Sequence, residues 1–247
     1  MSLTSANLRQ HLVNRASQFY RTAGRFAYRF SRGKLGGDPM FLAMLESGLI
    51  PDHSRILDIG CGQGLLAAWL LAARQQYVTG AWPAGWPAPG RPADFRGIDL
   101  LHSDVRRAQA ALGDVARFEQ GDMRNADFGQ TDVVVIMDVL HYVDIPAQDA
   151  VLRRVRDALP PDGLFLTRVG DAAAGLPFKL SSWVDRTVAF FRGNGLPPVH
   201  GRPLKQWVRA LESLDFSVET ANMNGNLPFA NVMLVARLNG GGSRNVC

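Results

Sequence analysis

The residues able to do chemistry in this chain are carboxylates that end apolar runs, together with one glycine-rich turn. Ile56-Leu57-Asp58-Ile59 runs into Gly60-Cys61-Gly62-Gln63-Gly64, and an apolar stretch from Leu65 to Ala73 follows. That succession is a strand, a tight turn and a helix N-terminus, a unit that α/β proteins use to hold nucleoside-bearing ligands. A pyrophosphate-binding turn has the spacing Gly-x-Gly-x-x-Gly. Here the third glycine comes one position early, and Leu65 stands in its place. Asp58, two residues before the first glycine, would also repel a pyrophosphate. Turn and carboxylate together suit a ligand with a cationic amine or sulfonium and no phosphate.

Three further carboxylates share this placement. Asp99 ends Gly97-Ile98-Asp99, Asp122 ends Glu119-Gln120-Gly121-Asp122, and Asp138 follows the run Val133–Met137. Each falls at or just past the C-terminal end of a predicted strand, the edge where open α/β sheets bind ligands. Asp132 opens its strand and faces the other edge. A carboxylate at Asp99 can take both ribose hydroxyls of a nucleoside. One at Asp122 can accept from an adenine amino group, and Met123 can pack on the ring. S-adenosylmethionine (SAM) joins such a nucleoside to a sulfonium and an amine, and is the expected ligand. No metal site is expected.

Hydrophobic periodicity indicates the elements that must position these residues. Strands are expected at 55–59, 96–99, 117–120, 132–137 and 164–169, and two late ones at 216–222 and 231–236. Helices are expected at 64–73, 103–112, 147–158 and 203–213, with a helical segment inside 178–192. The alternation predicts an α/β fold with a parallel sheet wound on both faces, closed by an antiparallel hairpin. Ahead of it, Leu8, Leu12, Ala16, Phe19, Ala23, Phe26 and Phe30 recur at helical spacing and predict one amphipathic helix over 5–31, followed by a short helix near 39–47. The expected organisation is a basic helical cover over 1–50, the main domain over 51–239 and a disordered tail over 240–247. Residues 75–95, rich in Trp, Pro and Gly, join a helix back to a strand. They are therefore expected at the N-terminal edge of the sheet, as a self-packed loop rather than a substrate lid.

With 247 residues, 47% of them apolar and 20% charged, the chain has the composition of a soluble globular protein. Its cysteines, Cys61 and Cys247, form no disulfide framework, and no apolar run approaches a membrane span or a secretory signal. A cytoplasmic setting is expected. The basic pI near 9.7 is localised. Arg9, Arg15, Arg21, Arg25, Arg29, Arg32 and Lys34 are met by no acid before residue 36, leaving 20 of the 27 basic residues against all 22 acidic ones. A nucleic-acid partner is therefore disfavoured. An anionic acceptor or an acidic carrier protein meeting the N-terminal helix is a candidate partner.

Residues 54–171 resemble the class I SAM-dependent methyltransferases of small-molecule type. Leu57-Asp58-Ile59-Gly60-Cys61-Gly62-Gln63-Gly64 is similar to their first motif, Gly97-Ile98-Asp99 to the second-strand acid and Gln120-Gly121-Asp122 to the third-strand acid. Asp132-Val133-Val134 through Asp138-Val139-Leu140-His141-Tyr142 resembles the fourth-strand segment. Leu159-Pro160-Pro161-Asp162-Gly163 resembles the turn before the fifth strand. The resemblance implies a seven-stranded, mostly parallel, Rossmann-like sheet with a reversed last strand, and SAM as cofactor. It implies that Gly60 and Gly62 let the backbone approach the methionine part and that Asp58 anchors its amino group. Cys61, Asp99, Leu100, Asp122, Met123 and Asp138 complete the cofactor set. The spacing from Gly64 to Asp99 is longer than the family's usual one, and the 75–95 insertion accounts for it.

The expected function is methyl transfer to a small, aromatic or lipid-like acceptor at oxygen or carbon. His141, which follows Asp138, is the candidate general base, with a supporting or packing role as the alternative. Arg168 is either a substrate anchor or an exposed end-of-strand charge, and Tyr142 is either a ligand or a packing residue. Acceptor specificity is expected from Lys34 with the Ser31–Gly37 segment, and from 171–203, where Trp183 could help roof a pocket. Two rival functions stay open. One is RNA 2′-O-methylation, because Lys34, Asp138, Lys179 and Glu212 occur in that family's order. The other is a non-catalytic SAM-binding regulator or subunit.

Overall fold

Seven strands form one sheet in the order β3-β2-β1-β4-β5-β7-β6. The computed structural model describes residues 4–172, 198–221 and 231–240, and the chain divides into two compact units, Met1–Ala126 and Asp127–Cys247.

The first unit begins with α1 (Ser5–Gln18), a 3-10 turn (Phe19–Arg21), α2 (Arg25–Gly37) and α3 (Met40–Glu46). There follow β1 (Arg55–Ile59), α4 (Leu65–Val78), β2 (Asp94–Asp99), α5 (His102–Leu112) and β3 (Arg117–Gln120). The three strands run parallel, with Ile59 opposite Ile98 and Asp99 opposite Gln120, so Asp58, Asp99 and the Gly121-Asp122 step finish along one edge. β3 lies at the sheet border, and Phe118 is its one buried residue among three exposed ones.

The second unit holds β4 (Val133–Met137), a 3-10 turn (Leu140–Tyr142), α6 (Ile145–Ala158), β5 (Leu164–Gly170), α7 (Leu204–Glu212), β6 (Phe216–Ala221) and β7 (Asn231–Leu238). β4 and β5 are parallel, whereas β7 runs antiparallel to both β5 and β6. Val133, Val134, Val135 and Ile136 are all fully buried, which explains the unbroken β-branched run of a strand covered on both faces. Asp144 caps α6 by accepting from the Ala147 N–H at 2.9 Å. The mostly parallel seven-stranded sheet with a reversed strand matches the expected fold. The expected helical segment inside 178–192 lies outside the described residues, as do most of 171–203 and the end of the tail.

The N-terminus departs from expectation. In place of one helix over 5–31 there are two, because the chain turns through Thr22-Ala23-Gly24. Gly24 adopts φ 103°, a conformation closed to residues with a side chain, and α2 starts at the next residue. Thr22 Oγ1 donates to the Ala110 carbonyl at 3.1 Å and pins the turn to α5. The apolar stripe changes phase across the break. Leu8, Leu12, Ala16 and Tyr20 are buried before it, and Ala27, Ser31 and Leu35 after it, while Phe26 is 49% exposed. The hairpin is tied to α4 by Arg15 Nε, which donates to Gln76 Oε1 at 2.9 Å.

The 75–95 segment packs on itself and on the start of β1. α4 continues to Val78, further than expected. The Trp82 indole donates to the Pro87 carbonyl at 3.0 Å and sits edge-on to Tyr77 and Trp86. Main-chain bonds from Ala93 to Ser54 and from His53 to Arg91 fix it at the N-terminal end of β1, away from Asp58. No helix among the described residues is long and apolar enough to cross a membrane.

One buried glycine tests how tightly the strands below the turn are packed. A Cβ on Gly97 would lie 2.7 Å from the Phe118 ring and 2.8 Å from Cys61 Sγ, both held in the core. Gly97→Ala should cost about 1–3 kcal/mol of stability in urea unfolding, the usual penalty of overpacking. A change within about 0.5 kcal/mol would show that Phe118 yields without strain.

Candidate functional site

The turn after β1 is built from main-chain bonds to the end of β2. The Ile98 carbonyl accepts from both Gly60 N–H, at 2.7 Å, and Cys61 N–H, at 3.1 Å. Gly62 N–H donates to Asp99 Oδ2 at 2.7 Å, while Asp99 Oδ1 accepts from Leu101 N–H at 2.8 Å. Gly60, Gly62 and Gly64 all have positive φ, and a Cβ on Gly64 would fall 2.8 Å from the Phe118 ring. Positive φ calls for glycine at all three positions, and packing against Phe118 adds to that at Gly64.

Asp58 and Asp99 are both buried. Asp99 has its two N–H donors, but among the described residues no donor reaches the Asp58 carboxyl. Burial, and then the neighbouring charge of Asp99, push Asp58 from the ordinary carboxylate range up to about 8. Cys61 is buried against Gly97, and its thiol is pushed up by burial and by Asp58, Asp99 and Asp104, so it stays protonated. Asp104, in the first turn of α5, is paired with Arg107 at 2.7 Å. Three buried acids, Asp58, Asp99 and Asp104, thus gather around the turn, and Asp58 among them has no donor of its own. A cation is the ligand chemistry that satisfies it.

The other expected residues of this unit lie where their strands end. Leu100 is 57% exposed at the tip of β2, and its carbonyl accepts from Gln120 Nε2 at 3.1 Å. Asp122 accepts from Arg124 through Nε at 2.9 Å and Nη2 at 2.5 Å, and from Arg124 N–H at 2.9 Å; these bonds hold its carboxyl below the usual range. Met123 beside it is half-buried. Lys34 forms a 3.0 Å ion pair with the buried Asp38 at the end of α2.

In the second unit, Asp138 takes the left-handed conformation, φ 59°, directly after β4. Its carboxylate is gripped by both arms of Arg168, with the Nε–Oδ1 distance 2.7 Å and a closer Nη2–Oδ2 contact. Arg168 is buried at 6% exposure, which a strand-end charge in solvent would not be. His141 is held by its main chain, whose carbonyl accepts from His200 N–H at 2.8 Å, and its ring meets Tyr142 edge-on at 4.3 Å. Burial lowers the imidazole's pKa against the opposing pull of Asp138, so the ring is neutral at pH 7 and able to accept a proton. Trp183 lies outside the described residues.

Three residues that sequence reasoning passed over belong to this description. Arg202 is buried and binds Gln148 Oε1 at 2.7 Å, the Ile145 carbonyl at 2.8 Å and Asp149 at 2.7 Å, fastening residues 200–204 to the segment after His141. Gln63 and Tyr20, both buried, join the glycine turn to the N-terminal hairpin. Gln63 was visible within the first motif; Arg202 and Tyr20 carried no local signal.

The sheet order with its reversed strand, and the glycine turn beside buried strand-end acids, define a Rossmann-like methyltransferase. The chain belongs to the methyltransferase-domain family, whose model matches residues 30–220. It is similar to the ubiquinone biosynthesis O-methyltransferase of Neisseria meningitidis serogroup C, with 29% identity over 134 residues, 51% of this chain and 48% of that protein. The chain therefore spans less than half the length of the curated relatives it matches. Its fold is shared with human N-acetylserotonin methyltransferase in complex with SAM, at TM-score 0.58 and 16% identity, covering 92% of this chain and 56% of that one. It is shared also with magnesium protoporphyrin IX methyltransferase from Synechocystis PCC 6803 with bound SAH, at TM-score 0.56 and 16% identity, covering 95% and 99%.

The Asp58 carboxyl makes the stability of the ligand-free protein depend on pH. Its pKa, about 8 in the fold against 3.8 in the unfolded chain, means that the fold binds the extra proton between those values. This contribution to stability is complete below about pH 4, declines as pH rises, and is lost above about pH 8. Thermal midpoints should accordingly fall between pH 5 and pH 8, and Asp58→Asn should flatten that slope; an equal slope in the variant would assign it to other groups.

Proposed function

We propose that the protein transfers the methyl group of SAM to a small, aromatic or lipid-like acceptor, at oxygen or carbon. The observation that carries this reading is the buried, donor-less Asp58 beside Asp99 in a turn that leaves no room for a pyrophosphate fingerprint. The residues fit the cofactor. Asp58 would accept from its ammonium. Each oxygen of Asp99 accepts one main-chain N–H, and a carboxylate oxygen can accept a second bond, here from a ribose hydroxyl. Asp122, at the end of β3, would accept from the adenine amino group once Arg124 gives way, and Met123 would pack on the ring.

SAM supplies an electrophilic methyl on a sulfonium, so the protein's tasks are to bind, to orient and to exclude water. Positioning alone can lower such a barrier by about 7–11 kcal/mol. When the acceptor is a hydroxyl, His141 would take its proton, and a general base contributes about 10²–10⁴-fold. The Asp138–Arg168 pair anchors the start of the segment that carries His141 and Tyr142. A small acceptor methylated at oxygen is supported by the similarity to a ubiquinone biosynthesis O-methyltransferase.

Two measurements test this reading. Binding of the SAM product S-adenosylhomocysteine (SAH), by calorimetry at pH 7, should release a proton, because Asp58 must ionise to meet the ammonium. The observed enthalpy should then vary with the buffer's ionisation enthalpy, and affinity should climb as pH approaches about 8; a buffer-independent enthalpy would place the ammonium elsewhere. In turnover with a catechol or phenol acceptor, His141→Ala should lower kcat by about 10²–10⁴-fold with SAH affinity little changed. Loss of SAH binding instead would make His141 a supporting residue.

A further inference from the structure

His141 sits in the three-residue 3-10 turn Leu140–Tyr142, too short an element to fix a side chain unaided. What holds it is a closed circuit of polar contacts within the second unit. The circuit starts at Asp138, gripped by Arg168 on β5. Just past the end of β5, Asp171 forms a parallel bridge with Arg202. Ala172 N–H donates to the Arg202 carbonyl at 3.2 Å, and Leu204 N–H donates to Asp171 Oδ1 at 3.0 Å. The Arg202 side chain then crosses to α6. Its Nε donates to Gln148 Oε1 at 2.7 Å, and its Nη2 to the Ile145 carbonyl at 2.8 Å and Asp149 Oδ1 at 2.7 Å. Gln148 Nε2 donates in turn to the Val143 carbonyl at 2.9 Å and the His200 carbonyl at 2.8 Å. His200 N–H closes the circuit on the His141 carbonyl at 2.8 Å.

Gln148 is the knot of this circuit. It is fully buried, and its amide spends both Nε2 protons on carbonyls and its oxygen on a guanidinium, so a flip would lose all three bonds. Arg202 is also buried, and its guanidinium lies over the Trp207 ring, 5.0 Å from the centroid, which fixes the plane in which the fork donates. Burying a guanidinium is costly, and apolar side chains of similar volume often hold a core as well or better. α6 already buries Val151, Leu152 and Val155 for that purpose. A fully matched polar network instead rigidifies what it touches. This one touches the main chain just after the His141 turn, at Val143, and alongside it, at His200.

We infer that Gln148 and Arg202 are positioning residues that hold the His141 imidazole where it can take the acceptor's proton. The inference rests on His141 as the base of the proposed methyl transfer. In this role neither residue touches SAM or the acceptor; both act through the main chain at Val143 and His200.

The test uses two acceptors, catechol, which must lose a proton, and 4-nitrophenol, mostly ionised at about pH 8 and so independent of a base. Gln148→Met should lower kcat on catechol by about 10–100-fold, the effect of a misplaced catalytic group, with SAH affinity by calorimetry and kcat on 4-nitrophenol little changed. Arg202→Lys, which keeps the charge but replaces the fork by a point, should give the same pattern and serves if Gln148→Met fails to fold. The double variant His141→Ala/Gln148→Met should be no slower on catechol than His141→Ala alone. Additive losses, equal losses on both acceptors, or unchanged catechol turnover in both variants would overturn the proposal. Catechol turnover left intact by His141→Ala would instead sink the base reading, and the proposal with it. Ring-nitrogen NMR of His141 needs no acceptor. Burial, against the pull of Asp138, holds the imidazole below the ordinary histidine range, and its titration should move back toward that range in both variants. An unmoved titration would show that the knot does not hold the ring.

Discussion

The bond from Gly62 N–H to Asp99 is the contact around which the first unit's site is arranged. It joins the turn after β1 to the tip of β2, while the doubly accepting Ile98 carbonyl closes the turn beneath it. An ionised Asp99 takes two main-chain N–H groups, at 2.7 and 2.8 Å, and bonds of that kind favour the charged form. Its charge then falls on Asp58, which has burial against it and no donor of its own. Asp99 closes the turn through its two donors, and Asp58, buried and beside that charge, is pushed up to about 8. Two acids with similar sequence surroundings thus end in different settings: Asp99 holds two main-chain donors, while burial and then the Asp99 charge raise Asp58. The difference separates a residue that closes the turn from one whose carboxyl has no donor among the described residues.

The same turn explains why the N-terminal residues belong to the first unit's core. A bare strand–turn–helix would leave Gln63 and the face of α4 in water. Instead α2 presents the Ala27 carbonyl to Gln63, and α1 presents Arg15 to Gln76. Burial of Leu8, Leu12, Ala16, Tyr20, Ala27 and Leu35 supplies the apolar free energy that holds the hairpin down. Breaking the expected helix at Gly24 lets a second buried stripe face the same neighbours, which a single straight rod could not do.

Much of this was legible in the sequence, for definable reasons. The strand ends were readable because Ile56-Leu57-Asp58-Ile59 and Val133–Met137 are short apolar runs that stop abruptly, and because acids and glycines mark the stops. The reversed final strand followed from a terminal hairpin pattern together with the family resemblance. The break was not read, since Leu8, Leu12, Ala16, Phe19, Ala23, Phe26 and Phe30 recur at helical spacing straight across it, although the residues buried after it, Ala27, Ser31 and Leu35, lie on a shifted stripe. Gly24 was the available signal, but one glycine in a helical pattern is weak evidence. The state of Asp58 could not be read at all. Its pKa depends on Asp99, 41 positions away in the chain, and on whether any donor points at it. Arg202 was illegible for the same reason: its partners Gln148 and Asp149 lie on α6, more than fifty residues earlier.

The charge pattern shows how a sequence-level excess dissolves into local contacts. Seven basic residues before position 36 suggested a surface waiting for an anion. In the fold, Arg15 is bonded to Gln76, Arg32 to Asn14, and Lys34 to Asp38, while Arg21 and Arg32 lie over the Tyr28 ring. Apart from Arg15, which reaches α4, these are contacts within the hairpin and its end, where a guanidinium contributes stem packing and a fork of donors as well as charge. A long-range field persists around such groups, but it is screened within about 8–10 Å at ordinary ionic strength and carries no recognition by itself. The acids tell the reverse story. They are fewer, and Asp58, Asp99 and Asp104 are gathered on one buried turn where screening is weak. The chain is basic overall, yet the site it builds favours a cation. Local placement of charge, and not the net charge, therefore sets the electrostatics of the turn.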